Sequence, residues 1–269
     1  MRTRVFIRLS LFLTLLLLLS CAVSPLGRRQ LKLVPDGEMN QLGLAAFDEM
    51  KSSGQLAQNP RALKYVRCVA EAILGATEDP TGVAGWEVQL FDDESPNAFA
   101  LPGGRIGVHT GLLDVARTPD QLAAVIGHEV GHVIARHGNE RISTSYVMSA
   151  GLSVVDIWMG DKDPKDRDQI LQLLGVGATL GVMLPFSRTH ESEADIIGLD
   201  LMARAGFDPR ASVELWENMM AAGGVSPPEF LSTHPSGDTR IRDLQTVMPG
   251  AMMIYDEARA AGKKPRCKP

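Results

Sequence analysis

His128-Glu129-Val130-Gly131-His132 constrains this chain more than any other segment. On a helix, residues four apart lie about 40° from each other, so both imidazoles face one point in space. The glutamate between them projects one residue further round, within reach of a water held at that point. This is the H-E-x-x-H arrangement of a zinc-dependent hydrolase, in which the histidines hold the metal and the glutamate moves a proton. The chemistry requires a helix, and the flanking residues predict one. Thr118 can cap, Pro119 suits the first helical position, and Gln121 completes a capping box. Leu122, Val125, Ile126, Val130, Val133 and Ile134 recur at helical spacing, and Gly138 marks the expected end. On that continuous helix His137 falls about 140° from His132, away from the site.

Zinc needs at least one more protein ligand and an open position. Glu191 is the candidate, in His190-Glu191-Ser192-Glu193-Ala194-Asp195. Ser187 and Gly206 bound a second helix around it. Glu191 and Asp195, four apart, share one face, so Glu191 can ligate while Asp195 orients a ligand imidazole. Glu193 lies about 200° from Glu191, on the opposite side. One zinc ion per chain is therefore expected on His128, His132 and Glu191, with Glu129 as general base.

Four segments carry a resemblance to a known family. They are Asn97-Ala98-Phe99-Ala100-Leu101-Pro102-Gly103-Gly104; His128 to His132; Pro185-Phe186-Ser187-Arg188 running to Glu191 and Asp195; and Thr233-His234-Pro235 followed by Arg240-Ile241. In type and order they resemble the M48 zinc metallopeptidases, the Ste24-like, Oma1-like and HtpX-like group, over residues 55–250. Among these the chain is most similar to soluble, lipid-anchored periplasmic members. The resemblance implies an α+β, mainly α, gluzincin-type domain. Its small three-stranded sheet would border the active-site cleft with one edge strand. That strand, Asn97, Ala98, Phe99 and Ala100, would bind polypeptide substrates by adding them as a further strand. The implied function is a zinc endopeptidase acting on unfolded or misassembled envelope proteins, in protein quality control. His234, in the last matched segment, is a candidate second catalytic group. It either donates to the oxyanion or takes zinc's open position and inhibits. His190 and Arg240 are weaker alternatives, Arg240 being better suited to pairing with a carboxylate. His109 and His137 read as surface or supporting residues. The competing function is a non-catalytic chaperone or outer-membrane assembly factor with structural zinc, for which Glu129 has no use. A zinc hydrolase of non-peptide bonds is a third reading, opposed by the Asn97–Ala100 strand.

The N-terminus reads as a targeting segment. Arg2, Arg4 and Arg8 precede an apolar run, Leu9 to Leu19, too short for a confident membrane span. Leu18-Leu19-Ser20-Cys21 resembles a lipoprotein signal, with cleavage before Cys21 and lipid on its sulfur. The expected organisation is a leader at 1–20, a tether at 21–37 and the peptidase domain at 38–269. The expected location is the periplasm, lipid-anchored, with Ala22 favouring the outer over the inner membrane. Loss of the three leader arginines takes the net charge from −5 to −8. A mildly acidic chain without a basic stripe excludes nucleic acid as partner. Whether Cys68 and Cys267 pair is open. Helices are expected at 38–53 and 60–76, strands at 86–91, 97–101 and 105–108, and a C-terminal helix from Asp238. Two apolar runs, 146–159 and 170–186, are expected to pack as helices, ahead of a lid or a membrane-resting surface.

Overall fold

A computed structural model describes residues 21–53, 56–77, 81–83, 85–150, 186–222, 234 and 238–269. The expected leader and most of the two apolar runs lie outside these residues. Among the described residues no helix is long and apolar enough to cross a membrane.

The architecture is α+β and mainly helical. A hairpin of β1 (Cys21–Val23) and β2 (Arg29–Leu31) leads to helices α1 (Asp36–Ser52) and α2 (Pro60–Leu74). Asn59 caps α2 and Pro60 opens it. A three-stranded sheet follows, with β3 (Glu87–Phe91), β4 (Ala98–Leu101) and β5 (Arg105–His109). Its order is β3-β5-β4. β5 runs parallel to β3 and antiparallel to β4, with Ala98 opposite Val108 and Leu101 opposite Arg105. The β4–β5 connection needs two left-handed residues, supplied by Gly103 and Gly104 at φ 83° and 75°. β4 is thus an edge strand, as expected. Its outer side meets the motif helix, not solvent alone.

After the short helix α3 (Leu112–Val115) comes the motif helix α4 (Pro119–Ile134). Thr118 caps it by accepting from the Gln121 N–H at 3.2 Å. Gln121 reaches back to the Arg117 N–H at 2.8 Å, one residue before the partner a capping box predicts. Every residue from Gln121 to Ile134 is buried. Leu122, Val125, Ile126 and Val130 join the main core with Val66, Val69, Ile73, Ile106 and Met202. Each such side chain contributes about 1.5–3 kcal/mol on burial.

The helix ends earlier than the sequence suggests. Ala135 is its last capping residue, and Arg136 adopts the left-handed φ of 57°. A new helix, α5 (His137–Ala150), begins at once. Gly138 is therefore the second residue of α5 and not the stop of α4. A left-handed arginine is strained by about 1–2 kcal/mol. Its Nε lies 3.2 Å from Asp36 Oδ2 on α1, a contact that opposes this cost. The break swings His137 off the helical path that placed it away from His132.

The remaining helices are α6 (Arg188–Ala205), α7 (Ala211–Ala222) and α8 (Asp238–Ala260). Ser187 caps α6 through the His190 N–H at 3.2 Å, and Gly206 closes it in the left-handed conformation, φ 88°. Cys68 on α2 and Cys267 are disulfide-bonded, their Cα atoms 5.6 Å apart across 199 residues of sequence. The bond ties the C-terminal tail to the core. Residues 21–37, expected as a tether, are held to the domain. Arg28 pairs with Glu140 and Glu193, and the Leu33 N–H donates to Ser143 Oγ at 2.9 Å.

Small residues let α4 and α6 cross in near contact. A Cβ at Gly131 would sit 2.9 Å from the Ala194 carbonyl, and one at Gly127 equally close to the Gly198 carbonyl. A Cβ at Gly198 would stand 2.7 Å from the His128 nitrogen and 2.8 Å from the Gly127 carbonyl carbon, both rigid helix backbone. Gly198→Ala should therefore force the helices apart, costing about 1–3 kcal/mol. The urea midpoint should fall and zinc affinity with it. Wild-type values for both would show that the crossing has slack.

Candidate metal centre

The crossing brings four donors together. His128 and His132 on α4, Glu191 on α6, and His234 each offer one atom, all within 4.8 Å of one another, and all four residues are buried. His128 Nε2 and His132 Nε2 are 3.0 Å apart. Glu191 Oε2 lies 3.5 Å from the first and Oε1 3.4 Å from the second. His234 Nδ1 lies 3.2 Å from His128 Nε2 and 3.1 Å from Glu191 Oε1. The expected pairing of Asp195 is present: its Oδ1 is 2.9 Å from His128 Nδ1.

Proton placement shows that this group fits a cation. Asp195 can only accept, so His128 Nδ1 carries hydrogen. His137 Nε2 faces Glu193 Oε2 at 3.1 Å and must likewise donate. Burial pushes the His137 pKa down to about 4, so the ring is neutral and its Nδ1 accepts. That nitrogen is 2.9 Å from His132 Nδ1, which therefore donates. Both outer nitrogens being committed, two Nε2 lone pairs and a carboxylate converge on one small volume. Electrostatics agree. In the metal-free site burial and Arg240 push the His128 pKa down, yet hydrogen bonds to Asp195 and Glu191 outweigh them and lift it to about 9, so that Nε2 then carries a proton facing Glu191. A metal ion would displace that proton and take its place as the positive charge. Burial opposes ionisation of Glu191, but His234 and Arg240 hold its carboxyl well below the usual range.

Arg240 on α8 secures the acidic side. It donates to both oxygens of Asp195, at 2.5 and 2.7 Å, and its Nη1 is 2.6 Å from Glu191 Oε2. Its guanidinium stacks 3.8 Å from the Trp216 ring. This is the carboxylate-pairing role anticipated for it. On the other side Phe186 covers His132, ring centroids 4.1 Å apart.

Glu129 lies against the group without joining it. Its Oε1 is 3.4 Å from His234 Nε2, and it accepts from the backbone N–H of Ala100 on β4. Burial raises its pKa, against the pull of His234 and His128. The carboxyl is thus suited to take and release a proton. Of the expected substrate strand, Asn97, Ala98 and Phe99 are buried, and Phe99 packs on Phe47 and Phe91. Asn97 Oδ1 accepts from the Ala98 N–H at 2.9 Å. Beside Ala100 opens a cleft lined by Met39, Asn40, Pro102, His132 and Phe186 among others.

His190 and His109 stand apart from the donors. His190 Nε2 is 3.1 Å from Glu140 Oε2, and its ring stacks on His137. His109 Nδ1 is 2.9 Å from Ser95 Oγ at the far end of β5. Sequence reasoning missed the contact of His137 with His132. A composition signal for a break at Arg136 does not exist, since arginine is a good helix former.

A donor set of this kind is made for zinc, and a buried carboxylate placed against it defines a zinc metallopeptidase site. Comparison with known proteins agrees. Residues 60–248 match peptidase family M48, and the chain belongs to that family. It is 41% identical over 170 residues to the mitochondrial metalloendopeptidase OMA1 of Schizosaccharomyces pombe, covering 62% of this chain and 48% of the relative. It is 38% identical over 240 residues to the protein of that name in Arabidopsis thaliana, covering 88% and 47%. To the β-barrel assembly-enhancing protease of Escherichia coli K12 it is 29% identical over 215 residues, covering 78% and 43%. The chain spans about half the length of these curated relatives.

These matches correct the expected location. Relatives in fission yeast, plant, cattle and human are named as mitochondrial, which overturns the expectation of a periplasmic, outer-membrane location. The physical reason for the misreading lies in residues 1–20. Arginines without acidic residues are common to secretory signals and mitochondrial transit peptides.

Proposed function

We propose that this chain is a zinc endopeptidase that cleaves extended segments of unfolded or misassembled polypeptides, in protein quality control. The observation that carries this reading is Glu129. It is a buried carboxyl beside two imidazoles and a glutamate on one cation position, at the outer side of an edge strand. The names of the relatives, metalloendopeptidase and assembly-enhancing protease, support it.

His128, His132 and Glu191 would hold the zinc. When bound, it supplies Lewis acidity toward the scissile carbonyl and lowers the pKa of the attacking water. The protein's own residues do the rest. Asp195 and His137 keep the ligand rings in one tautomer and orientation. Glu129, aligned by the Ala100 N–H, accepts the proton of the attacking water and delivers it to the leaving amine nitrogen. A substrate added along β4 would meet its carbonyls, because the Ala98 and Ala100 N–H groups are already taken. Such docking reads backbone and suits unfolded chains of varied sequence. A non-catalytic holding role leaves the buried Glu129 without a purpose.

Glu129→Gln should keep zinc and the fold yet lower casein cleavage by at least about 10²–10⁴-fold. Comparable cleavage by the purified variant would eliminate the mechanism.

His234 presents Nδ1 to the ligand atoms and Nε2 to Glu129. We infer that it is the fourth donor of a resting site, standing where the attacking water must enter. His234→Ala should therefore raise the rate of casein cleavage. A loss of about 10²-fold in kcat with KM unchanged would instead make it an oxyanion donor.

A further inference from the structure

The two ligand histidines are oriented in different ways. His128 leans directly on a carboxylate, Asp195. His132 leans on another histidine. His137 is fully buried, and only the break at Arg136 returns it beneath His132, Nδ1 to Nδ1 at 2.9 Å. A neutral imidazole accepts more weakly than a carboxylate. His137 gains strength by donating from Nε2 to Glu193 at 3.1 Å. Glu193 Oε2 is in turn 2.9 Å from Arg28 Nε. The same guanidinium grips Glu140 with two bonds of 2.7 and 2.6 Å, and Glu140 also receives His190. His190 stacks on the His137 ring, centroids 4.5 Å apart. Gln30 anchors the same hairpin by donating to the Ala135 carbonyl, next to the break.

Arg28 therefore terminates a chain of contacts that starts at a metal ligand, and it lies outside residues 60–248 that match the family. We propose that His137 is a positioning residue for His132, and that Arg28 anchors it through Glu193, so that the N-terminal hairpin is part of the metal centre. The proposal rests on the zinc reading of the site. Without Arg28, Glu193 and Glu140 lose their shared cation, and Glu193 is no longer fixed to hold His137. The ring of His132 then loses its orientation toward the other donors. Docking of the hairpin sets how tightly the site holds zinc.

The test uses the full chain, stripped of metal, with zinc affinity measured by competition against a chromophoric chelator. Thermal midpoints of the metal-free proteins and the visible spectra of their cobalt(II) forms are recorded beside it. His137→Phe keeps the ring volume and removes both nitrogens. It should weaken zinc binding about 10–100-fold, the usual effect of losing a partner of a ligand histidine, and should alter the cobalt spectrum. Arg28→Met, at a half-buried position, should weaken binding by a smaller factor in the same direction. If His137→Phe does not fold, Arg28→Met and Glu193→Gln carry the test. The double variant His137→Phe with Arg28→Met should bind zinc no more weakly than His137→Phe alone, because both cut one relay. Lower thermal midpoints with wild-type zinc affinity and cobalt spectra would make the network structural only and overturn the proposal. Strictly additive losses would overturn the relay. Failure of the wild-type chain to bind zinc would instead refute the proposed function.

Discussion

The near contact of α4 and α6 is the constraint on which the rest depends. A histidine pair on one helix makes two ligands at no cost in geometry, because the helical repeat already aligns them. The third ligand must come from elsewhere, and a carboxylate is short. Only a crossing without intervening side chains lets Glu191 reach both imidazoles while Asp195 reaches the back of one. Gly127, Gly131, Ala194 and Gly198 remove those side chains. The apolar residues of α4, buried on every side, then hold the crossing in place.

A site made this way gathers charge in a dry interior, and that charge has to be balanced. On one side Arg240 bridges Asp195 and Glu191 and lies flat on Trp216. On the other, Arg28 bridges Glu193 and Glu140. The two guanidiniums play matching parts, one on each side of the ligand pair. Arginine suits both places because its planar fork can bond two carboxylates at once. Removing either would strand buried carboxylates, which costs far more than the pairs themselves contribute.

Much of this was legible in the residues, for a definite reason. Caps and stops are local, so Thr118, Ser187 and Gly206 marked their helix ends correctly. The i, i+4 pairs His128/His132 and Glu191/Asp195 are also local, and they predicted which side chains share a face. The paired glycines after Pro102 marked the turn that makes β4 an edge. What escaped was set by distant contacts. Arg136 takes a left-handed conformation beside Asp36, a hundred residues away in sequence, and this brings His137 back under His132. The hairpin at 21–31 looked like linker because its proline and glycine content says nothing of the partners of Arg28. Pairing of Cys68 with Cys267 follows from the path of the C-terminal tail over α2, which no spacing rule supplies. Location was misread because arginines without acidic residues mark more than one kind of leader.

The central claim is that His128, His132 and Glu191 share one zinc ion. Anomalous scattering from crystals of the zinc-loaded chain tests it most directly. The account predicts a single strong peak per chain, bound by both Nε2 atoms and a Glu191 oxygen at about 2.0–2.2 Å, with His234 as the fourth donor of the resting site. A peak held by other residues, or zinc bound with Glu191 turned away from both imidazoles, would contradict it.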